Sequence, residues 1–127
     1  MATVKSYTSL PQSKVLAKIL PLESADMYYS MDINLMEHEN IPTIKEEDDH
    51  FILFQSDIPC WSLAALLSAL PKLPKVEYDL VVNSDKCYLA FDDCSEKNVH
   101  EDFDGATPVD AVFNAIIWLK ENNYIDK

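Results

Sequence analysis

The sequence predicts a single acidic α+β domain spanning residues 1–127, with a mostly antiparallel four-stranded sheet and helices packed on it. Three observations predict this. Apolar and polar residues alternate with strand period over Met27–Leu35 and again over Val76–Phe91. Apolar residues recur with helical period in three other segments, and a hydrophobic fraction of 48% supplies one core. The predicted order is helix, strand, strand, helix, strand, strand, helix.

The first helix covers Ser13–Leu20, where Val15, Leu16, Ile19 and Leu20 share one face opposite Lys14 and Lys18. Ser9 suits its N-cap, Pro11 is tolerated in the first turn, and Pro21 stops it. The strand Met27–Leu35 follows, then a polar connection, Glu37–His50, interrupted by Pro42. Phe51-Ile52-Leu53-Phe54 is apolar on both sides and reads as a central strand. Trp61, Leu63, Leu66, Leu67 and Leu70 mark a second helix that begins near Pro59 and ends at Pro71.

Val76–Val82 and Lys86–Phe91 flank Asn83-Ser84-Asp85 and predict a β-hairpin with Cys87, Leu89 and Phe91 on one face. Asp92–Ala106 reads as an acidic loop holding the only glycine, Gly105. Thr107-Pro108-Val109-Asp110 starts the last helix, combining a threonine cap, a proline in the first turn and an acid near the positive helix end. Val109, Val112, Phe113, Ile116 and Leu119 form its apolar stripe, and Asn122-Asn123 its exit.

The 22 acidic residues outnumber the 10 basic ones, all lysine, for a formal charge of -12. Lacking arginine, the residue that grips phosphate and base edges bidentately, the chain is poorly equipped to bind nucleic acid directly. An anionic membrane surface would repel it, and no apolar run approaches a membrane span. Lysines interrupt the apolar residues of the first twenty positions, so no secretory signal is expected. Cys60, Cys87 and Cys94 are odd in number without CxxC spacing, which fits free thiols in the cytoplasm.

Candidate chemistry is sparse, and no cofactor is expected. A first-turn position in the second helix would lower the Cys60 thiol pKa, with His38, His50 or His100 as base; the competing account is a small buried residue beside Pro59 and Trp61. His100–Gly105 has acids at alternate positions before a glycine, but an EF-hand register would place His100 first and Ala111 twelfth, where carboxylates are required. Zinc would need a second close Cys/His pair beside Cys94 and His100, and a single glycine precludes the glycine-rich phosphate loops of nucleotide folds. The excess charge resides in Glu37–His50 and Asp85–Asp110. Glu46, Glu47, Asp48, Asp49, Asp92, Asp93, Glu101, Asp102 and Asp104 therefore form the candidate partner surface, set against plain solubilising charge.

Ser24-Ala25-Asp26-Met27, Trp61-Ser62-Leu63-Ala64-Ala65-Leu66-Leu67 and Ala115-Ile116-Ile117-Trp118-Leu119-Lys120-Glu121 together resemble short proteins of gut bacteria and of their phages or mobile elements. That group has no established activity and no catalytic residues to carry over; the resemblance implies an accessory protein acting by contact. The expected function is non-catalytic protein–protein contact, with a basic partner or a second copy of the chain. The alternatives are imitation of DNA to inhibit a nucleic-acid-binding protein, and an enzyme using Cys60 or a carboxylate-bound metal ion.

Overall fold

The computed structural model describes residues 6–29, 43–44 and 58–125. It is α+β, but the single four-stranded sheet and the predicted order are both incorrect. The strands divide between two three-stranded antiparallel sheets, and the chain resolves into two compact units, Tyr7–Ala69 and Leu70 onward.

In the first unit, α1 (Leu10–Leu16) begins at a capping box, with Ser9 Oγ accepting from the Gln12 amide and the Gln12 side chain from the Ser9 amide. The helix starts and stops earlier than predicted. Tight i→i+3 bonds at Lys18 and Ile19 lead out of it, so Leu16 and Leu20 are buried while Val15 faces solvent. A 3-10 turn, Leu22–Ser24, leads into β1 (Met27–Tyr29), which lies between β2 (Thr43–Ile44) and β3 (Ile58–Cys60). The predicted strand at Phe51–Phe54 lies outside the described residues, as does the rest of Met27–Leu35 beyond Tyr29.

Cys60 corrects a specific expectation, because it belongs to a strand and not to a helix. Pro59 favours an extended residue before it and is tolerated on an edge strand, so the chain stays extended through Cys60. The helix α2 (Leu63–Ala69) starts later, where Ser62 Oγ accepts from the Ala65 amide. Asp26 fixes that cap by accepting from both the Ser62 amide and its hydroxyl, at 2.9 and 2.5 Å.

The second unit is built on the predicted hairpin. β4 (Val76–Val82) and β5 (Cys87–Asp93) pair residue for residue, and Asn83 Oδ1 accepts from the amides of Asp85 and Lys86 in the turn. The second half of the predicted acidic loop is a third strand, β6 (Val99–Gly105), paired with β5 over seven residues, and the loop's first two residues, Asp92 and Asp93, end β5. Composition concealed it because β6 is an edge strand and carries only Val99 and Phe103 as large apolar residues. α3 (Pro108–Glu121) packs across β5 and β6, capped by Thr107 as the sequence predicts. It closes through Asn123 in the left-handed region, with the Tyr124 amide bonded to the Leu119 carbonyl.

Under α3 lie Cys87, Leu89 and Phe91, with Val109, Val112, Ala115, Ile116 and Leu119 above them. Gly105 is required by this contact. A Cβ there would lie 2.7 Å from the Asp110 carbonyl carbon and 2.9 Å from Ala111 Cα, and nearer still to the Ala111 nitrogen. An aromatic cluster closes one end: Phe91 and Phe103 contact Trp118 at 5.4 and 5.5 Å between centroids, and Trp118 stacks on Tyr124 at 5.7 Å.

Candidate acidic sheet face

The β4-β5-β6 sheet has two faces of opposite character. Its pairing sets Glu77 opposite Asp92 and Asp92 opposite His100; Asp79 lies opposite Ala90 and Ala90 opposite Asp102; Val81 lies opposite Tyr88 and Tyr88 opposite Asp104. Residues in directly paired positions point to the same side of a sheet. These nine therefore share the face turned away from α3, and five of them are carboxylates: Glu77, Asp79, Asp92, Asp102 and Asp104. Glu77, Asp79, Asp102 and Asp104 are exposed, and Asp92 is paired with His100 through Nδ1.

The predicted surface is thus partly assembled. Asp92, Asp102 and Asp104 come together on this face. Glu101 is also exposed but projects from the helix side at the edge of β6. Asp93 does not join them, since it lies on the covered side at 2% exposure. Glu46, Glu47, Asp48 and Asp49 lie outside the described residues. Glu77 and Asp79 were missed because they sit in a hairpin strand and not in an acid-rich segment; the alternation of Val76–Val82 already placed them on one face.

Asp93 has a structural task instead. Its carboxylate accepts from the Ser95 amide at 2.9 Å and from the Tyr124 hydroxyl at 2.6 Å. Hydrogen bonds from Ser95 and then Tyr124 hold its pKa below the ordinary carboxylate value, with the Lys97 charge assisting and burial opposing. Burial and the Asp93 bond push Tyr124 up to about 12. Lys97 Nζ covers the Tyr124 ring at 4.6 Å, so the β5–β6 turn clamps the end of α3.

Neither buried thiol is activated. Cys60 is wholly buried and burial raises its pKa, against smaller lowering effects of the Thr8 hydroxyl, which donates to its sulfur, and of the neighbouring Ser13 and Tyr29 hydroxyls. No histidine occurs among the described residues of its unit. Cys87 donates to the Gly105 carbonyl at 3.1 Å and is raised by burial, then by Asp110 and Asp104. It lines a half-open pocket of about 310 Å³ between the hairpin turn and the start of α3. Two polar side chains of its lining are engaged within the fold, Asn83 Oδ1 by the turn amides and Thr107 Oγ1 by the Asp110 amide. Among the described residues no three His, Cys, Asp or Glu side chains are grouped to hold a metal ion.

The chain matches no family model, no curated protein and no solved structure. Among the described residues no helix is long and apolar enough to cross a membrane.

Proposed function

We propose that the protein acts without catalysis, by presenting the acidic face of the β4-β5-β6 sheet to a basic protein partner. The observation that carries this reading is the gathering of Glu77, Asp79, Asp92, Asp102 and Asp104 onto one side of a sheet whose other side is occupied by α3. Like charges set directly opposite each other cost stability, and Glu77 faces Asp92 in this way. A surface that bears this cost gains a field that steers and selects cations.

Imitation of DNA is the weaker version. Seven strand residues span about 23 Å, so five carboxylates give about one charge per 5 Å, against about one per 1.7 Å of duplex. That density suits a basic protein surface or segment better than a site built for duplex DNA. Affinity capture from the native host tests the proposal, comparing the natural chain with Glu77→Gln, Asp102→Asn and Asp104→Asn combined. A partner held at low salt and lost both with the variant and at high salt supports it; the same partner held equally by both chains refutes it.

A further inference from the structure

The hairpin hydrogen bonds decide which backbone groups of β6 are already used. The Asn83 amide donates to the Lys86 carbonyl, which makes Val82–Cys87 a non-hydrogen-bonded pair and Val81–Tyr88 a hydrogen-bonded one. Even-numbered residues of β5 therefore turn their backbone groups to β4, and Cys87, Leu89, Phe91 and Asp93 turn theirs to β6. In β6, Val99, Glu101, Phe103 and Gly105 answer them, so His100, Asp102 and Asp104 aim their N–H and C=O groups outward. An independent contact agrees with this parity: Asn114 Nδ2 reaches from α3 to the Asp104 carbonyl at 2.9 Å. Among the described residues nothing takes the backbone groups of His100 and Asp102.

We propose that this outer edge of β6 is a strand-addition site for an extended segment of another protein bearing lysine or arginine at alternate positions. The inference rests on the acidic-face reading above and names the form of its partner. The edge runs seven residues in unbroken register, without the bulge or proline that blunts many edges. Its protection is charge, with His100, Glu101, Asp102 and Asp104 all exposed along it, and Asn114 covers only the Asp104 carbonyl. Such protection is selective. A second copy pairing antiparallel about Asp102 would set Asp102 against Asp102, in a chain of net charge -12, and is repelled. A basic strand instead gains main-chain hydrogen bonds at His100 and Asp102 while its cations lie beside Asp102 and Asp104.

The probe is a capped peptide, Lys-Val-Lys-Val-Lys-Val-Lys, titrated into the full chain at low salt. Its control is the same peptide N-methylated at every interior amide, which keeps the charge and loses the donors. Strand addition slows amide exchange at His100 and Asp102 and leaves Glu101 and Phe103 unchanged, and N-methylation weakens binding about tenfold or more. Equal binding of the two peptides with unchanged exchange at His100 and Asp102 overturns strand addition and leaves the acidic face as a docking surface. No binding of either peptide overturns both readings.

Discussion

Replacing Thr8 by valine tests how the first unit holds its buried polar groups. Thr8 is fully buried, and its hydroxyl meets three partners: the Trp61 amide at 3.1 Å, Ser13 Oγ at 2.7 Å and Cys60 Sγ at 3.5 Å. One arrangement satisfies all of them. Trp61 N–H and Ser13 O–H donate to Thr8 Oγ1, Thr8 donates to Cys60 Sγ, and the Cys60 thiol donates to the Thr8 carbonyl, which also accepts from Tyr29. Valine preserves shape and orphans two buried groups, the Trp61 amide and the Ser13 hydroxyl, at about 1–3 kcal/mol each, or about 2–6 kcal/mol together. Thr8→Ser keeps the hydroxyl and loses one methyl, about 1 kcal/mol. Adding Ser13→Ala to Thr8→Val removes one orphan and returns about 1 kcal/mol. Urea unfolding midpoints at constant slope measure the series, and exchange of the Trp61 amide reports the broken bond directly. A Thr8→Val chain no less stable than Thr8→Ser would refute the network.

Other expectations concern the second unit. Gly105→Ala forces β6 and α3 apart, because the added carbon meets backbone; a loss of about 3 kcal/mol or more is expected in thermal or urea unfolding. Tyr124→Phe removes one of the bonds holding Asp93 ionised, so the Asp93 carboxyl titration followed by NMR moves up toward 3.8 and the chain is destabilised. Folded Asp93 holds its proton less tightly than the unfolded chain, so its contribution is complete above about pH 3.8 and is lost as pH falls through the lower folded value. Tyr78 and Tyr124 have the opposite sign: both are raised to about 12, so stability declines as pH climbs from 10 toward that value, as pH-dependent urea midpoints will record. Glu77→Gln relieves the clash with Asp92 and should stabilise by a few tenths of a kcal/mol at low salt, a gain that added salt erases.

Local chemistry determined several features from sequence alone. Ser9 and Thr107 cap their helices, Asn83 and its neighbours turn the hairpin, Cys87, Leu89 and Phe91 face inward, and Asn122-Asn123 ends α3; each follows from covalent preferences or from a period legible within a few residues. Tertiary pairing decided the rest. β6 became a strand because β5 offered it a complete edge, although its own residues carry charge where strands usually carry apolar side chains. The same pairing divided the acidic surface, sending Asp93 under α3 to meet Tyr124 and placing Glu77 and Asp79 on the same face as Asp102 and Asp104, across the intervening β5. Cys60 remained in a strand because it pairs with Met27, and Asp26 beside that partner holds the cap of α2 back at Ser62. Composition reports how much charge a chain carries; which carboxylates share a face depends on long-range register, which no local pattern encodes.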